Sequence, residues 1–442
     1  MPLQPGSTPV QVTHVEACGT NLRVLWLTNV ASPEAGPEFG GNDTQSGGWM
    51  WGLADALRKS GSVALGISTA CRDGRVAETQ VDGISHFRVP ISRAQFTHST
   101  QLSPDRQLIQ GCQDVVAAFK PDLIHIHGTE ETYGVLAAAK ILKCPCVISL
   151  QGMIGAYLPH YWGGMSVTEL LACHTVPNFV LRSGLVFDWW RWRQRQFVEE
   201  RIIRENRHFI GRTVWDRTHL LVANPKATYH FGDEVLRPEF YEKAGRQRRS
   251  GGSTIFAIWG GYPIKGTHLL LKAMRRVREC VPNVQLRLAG GMFKRSRILG
   301  GYWSYLDELI RALHLSDCVT LLPRLDAAHY VQELLAANVF ALPSFIENSP
   351  NSLCEAMLVG TPAVAAFVGG IPSLVTDNET ALCFPSGEHA VLAERLISVL
   401  TDDALATRLS ENARRIALKR HDRQRAADRT VEIYRTVLED AP

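Results

Sequence analysis

Glu347 and Glu355 stand eight positions apart in FALPSFIENSPNSLCEAMLVGTPAVAAFVGG, residues 340–370. Carboxylates so placed can accept hydroxyl protons or stand on either side of a bound anion. The apolar run Val339–Pro343 predicts a buried parallel strand, Glu347–Ser352 a turn, and Leu353–Leu358 the start of a helix. The first amides of a helix have no intrahelical partner and lie at the positive end of its dipole, so this loop can hold a diphosphate. Paired carboxylates also serve glycoside hydrolysis, but spacing along the chain does not set the carboxyl separation that reaction needs. A strand–helix connection with two solvated glutamates is the plain alternative.

Glu347, seven intervening residues, Glu355 and then Gly369-Gly370-Ile371-Pro372 resemble the signature of retaining family-4 glycosyltransferases of the GT-B fold. The resemblance implies that Glu355 binds the ribose hydroxyls of a nucleotide sugar and that Glu347 lies near the donor sugar. It also implies that Asn348, Ser349, Pro350, Asn351 and Ser352 meet sugar and phosphate. A carboxylate accepting two hydroxyl protons makes charge-assisted bonds of roughly 1.5–3 kcal/mol each, which agrees with the ribose role. WGGYPIKGTHLLLKA, residues 259–273, is a second element: a strand end, a glycine turn at Gly261, Lys265-Gly266 and an apolar-periodic helix. It resembles the family's lysine-glycine element, whose lysine contacts the donor diphosphate, and it lacks the residue order of a Walker A loop. The family usually has an arginine five residues before that lysine; here the position is Gly260, so positive charge must come from elsewhere, with Arg324 after Val319–Leu322 as the candidate.

In the first half, Gly47-Gly48 follows strand Arg23–Val30 and precedes a helical stretch, Trp49–Lys59. Glycines there permit close approach of backbone to ligand, and a glycine pair after the first strand is a family feature. DLIHIHG, residues 122–128, ends a strand on His127; the resemblance implies contact with the donor sugar, and a core histidine is the alternative. Gln151, Arg212 and Thr213 lie at later strand ends and are candidates for the acceptor side.

Elements able to position these residues follow from the pattern. Apolar runs at Arg23–Val30, Val63–Ser68, Asp122–His127, Cys146–Leu150, His208–Ile210 and His219–Val222 alternate with helical stretches. A second series runs through Thr254–Trp259, Val284–Ala289, Val319–Leu322, Val339–Pro343, Ala363–Phe367 and Ala381–Phe384. Such alternation predicts an α/β protein of two Rossmann-like, doubly wound domains, with ligand in the cleft beyond the carboxyl ends of facing strands. The expected division is a loose tail over 1–20, an acceptor domain over 21–240, a linker over 241–252 and a donor domain over 253–420. Apolar spacings of three and four make Asp403–Leu438 helical, and the resemblance implies that 421–442 crosses back to the first domain.

The 442 residues exceed what one core usually serves, which also favours two domains. A formal charge of +4 gives no bulk electrostatic case for nucleic acid. Ten cysteines without C-x-x-C pairs read as reduced thiols of a cytosolic protein. Asp-x-Asp is absent and His/Cys spacing does not suit zinc, so no metal and no cofactor is expected; the resembled family generally works metal-free. No run of eighteen apolar residues exists and the N-terminus has no signal core. FDWWRWRQRQFVEERIIRENR, residues 187–207, is basic and aromatic; an ordinary domain helix is favoured over one resting on an anionic membrane face because Glu199, Glu200 and Glu205 dilute the signal.

The expectation is a retaining, metal-independent glycosyltransferase that moves a sugar from a nucleoside-diphosphate sugar to an acceptor hydroxyl. UDP is favoured, and the setting is polysaccharide, lipid-linked or surface-glycan assembly. It would be cytoplasmic, with peripheral contact at the inner membrane face as the secondary reading. A noncatalytic nucleotide-sugar-binding subunit, an epimerase and a phosphorylase on a similar scaffold are the alternatives.

Overall fold

A computed structural model describes residues 21–30, 48–71, 76–92, 103–242, 253–290 and 301–441. Gly47, the tail over 1–20 and most of the linker expected at 241–252 lie outside them.

The first half forms an eight-stranded sheet. Its strands are β1 (Leu22–Thr28), β2 (Val63–Cys71), β3 (Ala77–Val81), β4 (Ile84–Pro90), β5 (Leu123–His127), β6 (Cys146–Ser149), β7 (His208–Gly211) and β8 (Thr228–Phe231). Their order is β3-β4-β2-β1-β5-β6-β7-β8, all parallel except β3. The second half forms a six-stranded parallel sheet of β9 (Thr254–Ile258), β10 (Gln285–Ala289), β11 (Val319–Leu322), β12 (Val339–Leu342), β13 (Ala363–Ala366) and β14 (Leu382–Phe384). Here the order is β11-β10-β9-β12-β13-β14, the Rossmann arrangement. The central strands are nearly all apolar because helices cover both faces: β5, β12 and β13 are buried at every residue.

Helices used below are α1 (Gly48–Ser60), α2 (Val167–Ala172), α3 (Val176–Val180), α4 (Leu185–Glu205), α5 (Val214–Ala223), α6 (Thr267–Cys280), α7 (Asn351–Val359), α8 (Asp403–Arg420) and α9 (Arg423–Glu439). The helix expected at Trp49–Lys59 is α1. Asp402 and Asp422 cap the last two, their carboxylates accepting from Leu405 and Arg425 amides. Helix α9 leaves the second sheet and packs on α1 in one apolar cluster with Val24, Trp26, Met50 and Leu53 of the first half. Its Tyr434 hydroxyl accepts from Trp26 Nε1 at 3.0 Å and bonds His125 Nδ1 at 2.8 Å.

One expected strand is a helix. His219–Val222 lies inside α5, which begins with a capping box: Thr213 accepts from the Asp216 amide and Asp216 reaches back to the Thr213 amide. Leu220 is buried and Val222 exposed, so the apolar run is one turn of an amphipathic helix. The strand in this region is β8, next to β7. The antiparallel β3–β4 hairpin was also unforeseen; Asp82 and Gly83 both have positive φ, 49° and 80°, as a two-residue hairpin turn demands.

Candidate active site

In the second sheet the strand order reverses between β9 and β12, and the loops leaving these two strands meet at their carboxyl ends. The approach is backbone to backbone. Gly266 has φ +70°, and a Cβ there would lie 1.9 Å from the Pro343 carbonyl oxygen. The Phe345 amide donates to Ile264 O at 2.8 Å. Lys265, at the end of a short 3-10 turn, is thereby delivered to Glu347: Nζ lies 2.6 Å from Oε1, which also accepts from Ser344 Oγ at 2.7 Å. Glu347 is only 5% exposed.

Gly260 stands where the missing arginine was noted. A Cβ on it would meet Lys265 Cγ at 2.6 Å, so the lysine stem occupies the space a side chain would need. Gly261 faces open space. Arg324 follows β11, the edge strand, two strands away from β9.

Behind the Glu347 loop lies Gly369-Gly370. Gly369 has φ +53° and would place a Cβ 2.0 Å from Glu347 O; the Gly370 amide donates to that same oxygen at 2.9 Å. These glycines therefore shape the loop from behind. Helix α7 starts at Asn351, with Pro350 as its cap residue, so the chain from Ser349 to Ser352 holds the unpaired end of the helix.

The first half closes on this loop. Thr213 Oγ1 donates to Asn348 Oδ1 at 2.7 Å, and Asn348 Nδ2 donates to Gln151 O at 3.1 Å and Asp216 Oδ2 at 3.0 Å. The Asn348 amide donates to the Tyr157 hydroxyl at 2.7 Å. Arg212 reaches Gln151 Oε1 at 3.3 Å and Glu234 Oε2 at 3.4 Å, and Ser349 Oγ donates to Glu234 Oε1 at 2.6 Å. Gln151, Arg212 and Thr213, placed on the acceptor side from sequence, are thus gathered about Asn348. Gln151 Nε2 and Asn351 Oδ1 are buried with no hydrogen-bond partner among the described residues and so are free to bond a ligand.

Glu355, on α7, pairs with Arg237 at 3.0 Å. Burial pushes its carboxyl up to about 7 against the opposing pull of Arg237. His127 ends β5 and is buried, its ring stacked 4.0 Å from His125, two residues back on the same face, and 4.3 Å from Trp26. Burial, then His125 and Arg212, hold it well below the usual histidine range, so it is neutral. Gly48 begins α1.

Asp216, which the sequence offers as either a cleft residue or a helix cap beside Thr213, does both: it completes the capping box and accepts from Asn348. Tyr157, Glu234 and Arg237 were missed from sequence and carry no local signal. Glu234, Cys354 and His421 are buried with donor atoms within 4.8 Å of one another. Burial works to raise the Glu234 carboxyl, but Arg212, His421 and Arg420 outweigh it and hold it below its ordinary range. A carboxylate already neutralised by two guanidiniums is a poor cation ligand, so this cluster reads as an ion-paired joint.

Residues 246–416 match the family described as glycosyl transferases group 1. That match falls on the second domain, and the fold of the whole chain is GT-B. The chain is 28% identical over 301 residues to D-inositol 3-phosphate glycosyltransferase of Pseudarthrobacter chlorophenolicus, covering 66% of this chain and 69% of the relative. It is 29% identical over 191 residues to phosphatidyl-myo-inositol mannosyltransferase of Mycobacterium leprae, covering 43% and 48%. Among solved structures, sucrose-phosphate synthase from Thermosynechococcus elongatus superposes with a TM-score of 0.73 at 18% identity over 95% of this chain and all of the other, 100%. HepE of Anabaena, solved with UDP-glucose, gives 0.63 at 19% identity over 94% of this chain and 100% of its own.

Proposed function

We propose that this chain is a glycosyltransferase that takes a sugar from a nucleoside-diphosphate sugar, UDP favoured, and passes it with retention to an acceptor hydroxyl in glycan or lipid-linked assembly. The observation that carries the reading is the Lys265–Glu347 contact at the β9/β12 switch point, beside the open end of α7. Lys265 supplies a point charge and α7 its unpaired amides to the leaving diphosphate, with dipole contacts of about 0.3–2 kcal/mol. This supports a reaction without a metal. Glu355 accepts the ribose hydroxyls, Asn348–Ser352 and Gly261 line sugar and phosphate, and His127 offers a neutral ring from the facing domain. Arg212 and Arg237 are candidates for the charge that Gly260 does not provide; Arg324, on the edge strand, is placed less directly.

In the proposed step the acceptor oxygen bonds to the anomeric carbon on the face from which the diphosphate leaves. The sugar–phosphate C–O bond breaks, and the acceptor proton passes to the departing phosphate oxygen. Catalysis is then positioning plus electrostatics, with no covalent sugar–enzyme intermediate. A UDP-glucose complex of HepE and relatives acting on inositol phosphates or phosphatidylinositol support a UDP or related donor and a polar or lipid-linked acceptor.

The test is thermal stabilisation of the protein by UDP, GDP, ADP and CMP with EDTA present, and Glu355→Ala as control. One diphosphate should stabilise selectively, and the variant should lose the effect. No shift with any nucleotide would sink the donor assignment.

A further inference from the structure

Residues 150–207, between β6 and β7, carry short helices α2 and α3 before the long α4. Nine of the seventeen exposed large hydrophobic side chains among the described residues fall between Val167 and Phe197. On α2 and α3 these are Val167, Leu171, Val176, Phe179 and Val180, followed by Leu181; Val176 is 78% exposed and Val180 75%. A helix of five residues that turns both valines to water gains little from them in its own fold, while Phe179, half exposed, meets Phe187 of α4 and His174 along one side only. Clustered exposure on this scale marks a contact surface.

Helix α4 continues the same surface. Val186, Trp190, Arg193 and Phe197 recur at spacings of four, three and four, one face of a helix, and all are exposed. Arg201 and Arg204 lie beyond Phe197 and are exposed, but Glu205 at 3.1 Å and Glu200 at 3.8 Å neutralise them, so the basic border rests on Arg182 and Arg193. Between Ser166 and Phe197 the acidic residues are Glu169 and Asp188, against Arg182, Arg191, Arg193 and Arg195. Glu169 is turned to the second domain, where it bonds Lys272 and Tyr305 at 2.7 Å each, and Asp188 is neutralised by Arg191 at 2.7 Å. What remains outward is apolar with a basic border.

We infer that this face, α2, α3 and the exposed stripe of α4, rests on an anionic phospholipid surface. Its aliphatic and aromatic side chains would enter the boundary between headgroups and acyl chains, while Arg182 and Arg193 meet lipid phosphates. The charge pattern is what selects this partner: an apolar centre with basic flanks and no uncompensated carboxylate suits a bilayer carrying anionic lipid. The surface lies beside the cleft, because Gly163 O bonds His268 Nε2 at 2.9 Å and Glu169 bonds Lys272, both on α6. The inference does not rest on the donor reading; nucleotide binding could fail while this surface still held lipid.

Co-sedimentation of the full chain with vesicles tests it. Vesicles of phosphatidylcholine mixed with phosphatidylglycerol should pellet the protein, and those of phosphatidylcholine alone should pellet it poorly. Phe179→Ser with Val180→Ser and Leu181→Ser should weaken binding by about tenfold or more. Arg182→Gln with Arg193→Gln should weaken it and reduce its sensitivity to salt. Trp190→Ser with Phe197→Ser is a second apolar variant, and unchanged melting temperatures would verify that exposed sites alone were altered. Failure of the native chain to bind the anionic vesicles overturns the inference, as does equal binding by both apolar variants. So does a concentration-dependent dimer that these variants abolish without any lipid binding, since the occupant would then be a second copy.

Discussion

Thr213 Oγ1 donates to Asn348 Oδ1 at 2.7 Å, joining a helix cap of the first domain to the loop that follows β12 in the second. Thr213 also caps α5 through the Asp216 amide, so its hydroxyl serves both a local and an interdomain bond. The nearby Asp216 carboxylate accepts from Asn348 Nδ2, which orients the amide. The Thr213 hydroxyl therefore ties the start of α5 to the β12 loop, alongside the contacts from Tyr157, Gln151 and Glu234.

Thr213→Val tests that contact. Loss of a buried hydrogen bond leaves Asn348 under-satisfied at a cost of about 1–3 kcal/mol, so kcat/KM for the donor should fall about tenfold or more. Thr213→Ser should keep most of it. If steady-state kinetics show Val and Ser variants equal to the native protein, the contact is absent from the working state.

Lys265 and Glu347 should behave as a unit. Lys265→Met should lower kcat by about 100-fold or more, the scale for losing one preorganised electrostatic group. Glu347→Gln should reduce transfer more than nucleotide affinity. The double variant should be clearly less impaired than the product of the two losses, measured as a double-mutant cycle. Full additivity would show that the two side chains act separately.

Gly260→Arg restores the residue usual in the resembled family, yet the result should be poorer activity. The new Cβ would press on Lys265 Cγ, 2.6 Å away, and displace the amine from Glu347. A rise in kcat/KM would contradict the view that the lysine stem fills this space.

Glu355 predicts a pH signature. Its carboxyl is raised from 4.5 to about 7, so between those values the folded protein binds more protons than the unfolded one. Its contribution to stability is therefore greatest below the unfolded value and falls as pH rises through about 7, by an amount on the order of 3 kcal/mol. Glu199 is raised to a similar value, so the comparison must be between native and Glu355→Gln proteins, whose difference isolates Glu355. Melting temperatures should fall with rising pH more steeply for the native chain. Nucleotide affinity should move the other way in the native chain, strengthening as Glu355 ionises, and should be flat in the variant. Parallel melting curves would rule out the shift.

Legibility in the sequence depended on range. The β12–α7 passage could be read because strand, loop, helix start and both glutamates are contiguous, and the Lys265 element because β9 and its turn are contiguous too. Arg237 reaches Glu355 from 118 residues away, and Glu234 reaches Ser349 from 115, with no local pattern to announce either. His219–Val222 misled because His-Leu-Leu-Val fits a short strand as well as a helical turn; the decisive information was the cap at Thr213. The β3–β4 hairpin was legible in Asp82-Gly83 and overlooked. The basic, aromatic stretch from Phe187 was singled out, but its most exposed apolar neighbours on α3 precede it and have meaning only once the helices are placed.

The chain passes between the two sheets twice, between β8 and β9 and again before α9. The passages are bonded side by side: Tyr241 donates to His421 O at 2.7 Å, His421 Nδ1 meets Glu234 O at 3.0 Å, and Arg420 pairs with Asp233 at 3.1 Å. Two covalent links bonded together restrain the second sheet against twisting on the first more than one link would. The restraint is concentrated at Asp233, Glu234 and His421, away from the Lys265–Glu347 contact.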